Sequence, residues 1–446
     1  MKFLVVMSLV AGLLAPPLAK ADQCGWDQSP GWVARENAKT GAKNWADDVP
    51  VRFSADFSRR KSIARVEGYF DATSVTCGEK TKLTIVGAES TDISVYRIGF
   101  YKGIGARLVM EKESAKSFTP SAKTPPGEYL IKLRAKGFTS SFVPIVVRSK
   151  MQRSDITYVS SVMTWQSYNQ WGGKSLYKGA DGKRESRASL VSFDRPYDGD
   201  GAGQFRYMEQ PLIAMIEQLG LDTEYITDID LDAQPLIHSA SIVLGGHSEF
   251  WTNSMRATIK NSIESGINLI IMGGNTSYAQ TRLKGRTLIG RIPFRDIGMP
   301  ESLIMGSQFF ALGIHKDLEV QAVDKWPFNV LGKNTTIKGI YGYEADTAMG
   351  APGPGVEILA RASISPTEKG YVAMSTYYSA ESGAGVLNLG TNGWVCGLVD
   401  YCPWGHRFDS PAKSALRLVT AEILQAAKRP QLGKWRVAQI DIPARS

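Results

Sequence analysis

Ser241-Ile242-Val243-Leu244-Gly245-Gly246-His247-Ser248-Glu249-Phe250-Trp251 carries the strongest structural signal in the chain. A short apolar run closed by glycines reads as a buried strand. The glycine pair lets the backbone turn sharply or come close to another segment. His247 and Glu249 follow at once, two groups able to titrate or to bind a metal, with an aromatic pair behind them. Open α/β sheets bind ligands outside the carboxyl ends of their strands. Polar residues in this place are therefore better site candidates than the same residues elsewhere.

The same design recurs. Asn268-Leu269-Ile270-Ile271-Met272 runs into Gly273-Gly274-Asn275-Thr276-Ser277, and Gly385-Val386-Leu387-Asn388-Leu389 into Gly390-Thr391-Asn392-Gly393-Trp394. A weaker copy is Ile156 to Val162 running into Thr164-Trp165-Gln166-Ser167-Tyr168. If these strands are parallel neighbours, their polar ends meet at one edge of the sheet. Amphipathic runs lie between them: Leu212, Met215, Ile216 and Leu219 after Pro211, then Met255, Ile259 and Ile263, then Leu416, Val419 and Ile423 after a Ser410-Pro411 cap. Helices alternating with strands predict a doubly wound α/β domain over 151–446. Residues 283–375 break the rhythm with glycines, prolines and short β-like pieces, and read as a β-rich insertion near the strand ends.

Upstream, 64–150 shows short β-type runs separated by turn signals such as Pro125-Pro126-Gly127, the pattern of a small immunoglobulin-like β-sandwich. In Tyr129 to Ala135 the apolar Tyr129, Ile131 and Leu133 alternate with Lys132 and Arg134, which predicts one wet face. Residues 22–63 are polar and irregular and read as an extended arm crossing the surface. Residues 1–21 read as an export signal: Lys2, an apolar run from Phe3 to Leu14, and Ala19-Lys20-Ala21 as a cleavage site. That run is too short to span a bilayer, and the expected location is periplasmic or secreted.

The chain has 446 residues and 43% hydrophobic content, enough for a large core. Its formal charge is +9, and loss of the leader would remove Lys2 and Lys20 from it. No basic block of the nucleic-acid-binding kind is present. Four cysteines in an exported chain suggest disulfides, with Cys396–Cys402 and Cys24–Cys77 the expected pairs. Their spacings lack the close pairs of a zinc site. Asp228, Asp230 and Asp232 alternate, but no glycine-centred calcium loop follows, so a solvated turn is expected. No Gly-x-Ser-x-Gly elbow is visible.

Several motifs together resemble the large (β) subunit of N,N-dimethylformamidase and its relatives. They are Thr164-Trp165-Gln166-Ser167-Tyr168-Asn169 with Trp171-Gly172-Gly173, Asp194-Arg195-Pro196-Tyr197, Gly246 to Trp251, Gly274-Asn275-Thr276, and Gly342-Tyr343-Glu344-Ala345-Asp346. Tyr96 to Tyr101 and Gly103 to Leu108 resemble the β-sandwich that precedes them in that family. The resemblance implies a glutamine-amidotransferase-like α/β domain. It also implies a mononuclear ferric iron held by Tyr168, Tyr197 and Glu249, with His247, Asn275 and Glu344 beside it. Ser248 and Phe250 depart from the Asp and Tyr common at those positions. No small partner subunit is evident, and self-association is left open.

Phenolate and carboxylate oxygens suit a hard cation, and tyrosines that normally titrate near ~10 need such a cation to ionise. On the metal-hydrolase reading, the substrate is a small amide. His247 would take or hold the proton of water, Glu344 would pass one to the leaving amine, and Asn275 would donate to the oxyanion. Blander readings stand beside these. Both tyrosines could be packing residues, Glu249 could be the first-turn acid of a helix, and Asn275 could cap the next segment. The rival function is a non-catalytic envelope binding protein with a decayed site.

Overall fold

The computed structural model describes residues 25–49, 51, 64–149, 154–233, 237–320, 324–331, 335–363, 372–399, 402 and 407–445. The expected leader at 1–21 and Cys24 lie outside the described residues. The chain is a mixed α/β protein built on one nine-stranded sheet. Across it run Thr223–Thr227, Ile156–Ser160, Ser241–Leu244, Asn268–Ile271 and Gly385–Asn388, all parallel to their neighbours. Val372–Ser379, Glu357–Ser363, Lys316–Val320 and Thr336–Tyr341 continue it antiparallel.

Registers align the carboxyl ends of the parallel strands: Leu244 lies opposite Val159 and Ile271, and Ile271 opposite Asn388. The glycine-bounded runs thus do end along one edge. Their residues alternate between two cores, as a strand's two-residue period demands. Tyr158, Val243, Ile270 and Leu387 face the helices Gln210–Gln218 and Ser410–Ala427. Val159, Leu244, Leu269 and Val386 face the helix Asn253–Glu264 through Met255 and Ile259. Helices on both sides explain why these strands are continuously apolar. The helix Ser410–Ala427 is capped by Asp409, which accepts from Ala412 N at 2.8 Å, one residue ahead of the expected Ser410.

The stretch read as a β-rich insertion lies between the Asn268–Ile271 and Gly385–Asn388 strands and adds to two sheets. Its strands Lys316–Val320, Thr336–Tyr341 and Glu357–Ser363 extend the main sheet. Thr287–Pro293 joins a separate four-stranded sheet with Ala279–Lys284, Leu190–Ser192 and Phe250–Trp251. Pairing partners distant in sequence, rather than local periodicity, hold these short pieces.

Residues 64–149 form a five-stranded and a three-stranded sheet that share one core of Phe70, Leu83, Phe118, Val95, Ile131 and Val143. The predicted wet face is covered in part: Lys132 is buried, donates to Trp45 O at 3.2 Å and pairs with Asp48, whereas Arg134 stays part-exposed. The segment read as an extended arm covers Lys132. Trp45 packs on Tyr96 and Phe142, and a short helix, Trp32–Asn37, buries Trp32 and Val33. Burying each such side chain contributes about 1.5–3 kcal/mol, which is why a polar-looking segment adheres. Cys396 and Cys402 form a disulfide. Cys77 is also disulfide-bonded, while its expected partner Cys24 lies outside the described residues.

A buried ion pair joins these parts. Arg97, from the β-module, meets Glu217, from the helix Gln210–Gln218, with Nη2–Oε1 at 2.7 Å and Nη1–Oε2 at 2.8 Å, both side chains fully buried. Tyr225 Oη and Asn37 Nδ2 also donate to Glu217. Burial opposes the charge on Arg97, but Glu217 outweighs it and raises the guanidinium well above its ordinary range. Breaking a buried pair from one side strands the other charge. Arg97→Ala is expected to cost roughly 3–5 kcal/mol, read from urea unfolding. Arg97→Met combined with Glu217→Leu should recover much of that loss, whereas additive losses would refute the pairing as the cause.

Candidate active site

Three glycine turns at the sheet edge press on one another. A Cβ on Gly273 would lie 2.4 Å from the Gly246 carbonyl oxygen, and one on Gly274 would lie 3.0 Å from Thr391 N. Only glycine permits that approach. The contact delivers His247, Asn275 and the Gly390–Asn392 turn to the same place.

Tyr168 arrives on a different element. After Ile156–Ser160 the chain enters a helix, Val162–Tyr168, rather than an irregular loop. Two buried carboxylates hold its amino end. Asp228 accepts from Met163 N at 2.9 Å, and Glu209 accepts from Ser161 N at 3.1 Å and from Trp165 Nε1 at 2.8 Å. The helix amides favour negative charge there, while burial opposes it more strongly and raises both carboxyls. Asp228 thus begins a helix, Asp228–Ala233, and is fully buried, which replaces the expected solvated turn.

Tyr168 Oη donates to Glu249 Oε2 in a close contact. His247 Nε2 lies 3.6 Å from that same oxygen and 3.4 Å from Glu344 Oε2. These are ion-pair distances, and neither ring nitrogen has a hydrogen bond of good geometry among the described residues. Glu344 is fixed by Asn392, whose Nδ2 donates to Oε2 at 2.5 Å while its Oδ1 accepts from Gly274 N at 3.0 Å. Asn275 sits at φ 55°, a left-handed conformation, and its backbone N–H donates to Asp346 Oδ1 at 2.8 Å. Its side-chain oxygen is buried and has no hydrogen-bond partner among the described residues. Unusual backbone and orphaned polar groups close together are features that cluster at functional sites.

The cluster's electrostatics follow from burial and proximity. Burial, then Glu249 and Glu344, raise the Tyr168 phenol well above its usual range. Burial works to lower His247, but the two carboxylates outweigh it and push the imidazole up to about 9. Burial works to raise Glu249, yet His247 and Arg291 hold it below the ordinary carboxylate range. Burial lifts Asp346 to about 7.

Five of the six expected site residues, Tyr168, His247, Glu249, Asn275 and Glu344, are therefore set around the same strand ends. Tyr197 is not brought to them. Its ring packs on Trp165 and lines a hollow facing the β-module, with Asp228, Arg286, Arg195 and Glu209 as its charged neighbours. Among the described residues no hydrogen bond or ring contact joins it to Tyr168 or Glu249. The phenol beside Tyr168 is Tyr177, stacked on it with centroids 4.8 Å apart. Arg291, Asp346 and Asn392 were not foreseen. Asn392 follows a strand-end glycine, so that signal could have found it, whereas Arg291 sits in an unremarkable strand.

The donor chemistry of Tyr168 and Glu249, with the orphaned His247 imidazole and Glu344 adjoining, fits a hard cation. Tyr197 as a third ligand does not fit this arrangement. Among the described residues no group of three or more His, Cys, Asp or Glu side chains is arranged to hold a metal ion.

A family model described as N,N-dimethylformamidase beta subunit-like, C-terminal, matches residues 113–407. No curated protein matches. Among solved structures, a cycloisomaltooligosaccharide glucanotransferase of Paenibacillus sp., complexed with cycloisomaltoheptaose, is 18% identical over 21% of this chain and 15% of that chain, with a TM-score of 0.14. A likeness that slight carries no argument.

Burial raises the Glu209 carboxyl to about 7 against 4.5 for the ordinary side chain. Between those values an unfolded chain has lost the proton that the fold retains. Stability from this group is therefore full below about pH 4.5 and declines as pH rises to about 7, by at most ~1.4 kcal/mol per unit. Glu209→Gln should flatten that part of the stability–pH curve measured by urea unfolding. An unchanged slope would contradict the assignment.

Proposed function

The chain belongs to the N,N-dimethylformamidase beta subunit-like family, and on that premise we propose that it is an exported, iron-dependent hydrolase of a carbon–nitrogen amide bond. The observation that carries this reading is the direct meeting of Tyr168 with Glu249 beside His247 and Glu344. Tyr168 and Glu249 would hold the ion, with His247 beside them as the proton carrier. A ferric ion there would supply Lewis acidity toward an amide carbonyl and toward water. The glutamine-amidotransferase-like form of the α/β domain and the immunoglobulin-like form of the β-module belong to this proposal too. Family membership further suggests a partner subunit.

The protein's own groups would carry the protons. His247, between two carboxylates, holds a proton within reach of either. Water adds to the amide carbonyl carbon, and its proton passes to this His247–Glu249–Glu344 set. Glu344, steadied by Asn392, returns a proton to the departing amine as the carbon–nitrogen bond breaks. The Asn275 side-chain amide donates to the oxygen that gains charge. Burial of the cluster keeps bulk water away and strengthens each of these interactions.

Protein purified from its own compartment should retain iron and show a visible phenolate-to-iron absorption. Glu249→Gln should lose the iron, Tyr168→Phe should lose the band, and Tyr197→Phe should keep both. Amine release from a panel of simple amides should fall by roughly 10²–10³ in kcat for Asn275→Ala. Sequencing of the mature amino terminus should begin at Asp22.

The second reading, an exported non-catalytic binding protein with a decayed site, is favoured by the separation of Tyr197 from the cluster. Wild-type protein that takes up no iron and releases no amine would decide for it. Among the described residues no helix is long and apolar enough to cross a membrane.

A further inference from the structure

The two oxygens of Glu249 have different surroundings. Oε2 meets Tyr168 Oη and faces His247 Nε2. Oε1 accepts a hydrogen bond from Arg291 Nη2 at 3.0 Å. Glu249 is fully buried, and the Arg291 side chain is only 18% exposed. The guanidinium lies over three rings, 5.2 Å from the centroid of Tyr278, 5.5 Å from Tyr177 and 5.9 Å from Phe250. Such faces attract a cation and confine a planar one.

The position of Arg291 is also fixed by its backbone. It lies in Thr287–Pro293, which pairs with Ala279–Lys284, and that strand pairs with Phe250–Trp251 directly after Glu249. One small sheet therefore carries both the cation and the residue next to the carboxylate it holds. Arginine keeps its charge at any working pH, so Oε1 stays engaged whatever happens at Oε2.

We propose that Arg291 is a positioning residue that commits Glu249 to binding the metal through Oε2 alone. A carboxylate with both oxygens free can rotate or embrace a cation with both. Here one oxygen is held by Arg291, and the other is turned toward the Tyr168 and His247 side. This rests on the iron-hydrolase reading and deepens it. The Tyr177 ring, stacked on Tyr168 and facing Arg291, serves as a common wall for phenol and guanidinium.

The test is made on the full-length mature protein loaded with ferric iron. Wild type, Arg291→Gln and Arg291→Lys are compared for iron retention against a graded chelator and for the wavelength of the phenolate-to-iron band, with circular dichroism as the folding control. Loss of a residue that orients a ligand typically weakens metal binding by about 10–100-fold. Arg291→Gln should show a loss in that range together with a displaced band, and Arg291→Lys should recover only part of the affinity because an ammonium cannot reproduce the fork. Folded variants with wild-type retention and an unmoved band would overturn the assignment and leave the hydrolase reading standing. Wild-type protein that binds no iron and shows no band would overturn both.

Discussion

The candidate site depends on a contact between backbones. Where the parallel strands end, the Gly245–Gly246 turn, the Gly273–Gly274 turn and Gly390 lie so close that side chains are excluded at each. A Cβ on Gly390 would come within 2.2 Å of the Met374 carbonyl oxygen, and one on Gly246 within 3.0 Å of that of Met208. Protein interiors give way little, so these approaches set where the next residues go. His247, Asn275 and Asn392 each follow such a turn by one or two positions, and their convergence is a consequence of main-chain packing.

Buried carboxylates complete the arrangement. Asp228 and Glu209 hold the start of the helix that ends in Tyr168, and Asp346 ties the left-handed Asn275 to Asn388 on the neighbouring strand. Each is desolvated, and each is supported by hydrogen bonds to backbone or side-chain donors. A half-satisfied network would cost more than an apolar one. Such networks hold the side chains of the candidate site in place through hydrogen bonds to backbone and neighbouring strands.

Much of the sheet was legible because its signals are local. Apolar runs closed by glycines mark strands and their ends, and His247, Glu249 and Asn275 were found by that rule. Tyr168 and Glu344 came from the motif resemblance. What could not be read is set by partners far away in the chain. Lys132 looked solvent-facing until Trp45 and Asp48 covered it. That the strands between 316 and 363 extend the main sheet could not be read, because the strand edge they join cannot be seen in local periodicity. Arg291 reaches Glu249 only through two successive strand pairings. Tyr197 carries the expected motif, yet its side chain is claimed by Trp165 and the β-module side.

The Arg97–Glu217 pair bears on how the molecule could be cut for expression. The family match begins at residue 113, after Arg97 and after the Asp92–Ile98 strand that bears it. A truncation that began there would keep Glu217 in the interior and discard the cation that neutralises it, along with Asn37. The region defined by sequence similarity is therefore larger in physical terms than in alignment. A soluble fragment would have to start ahead of the Trp32–Asn37 helix, or else replace Glu217 with an apolar residue.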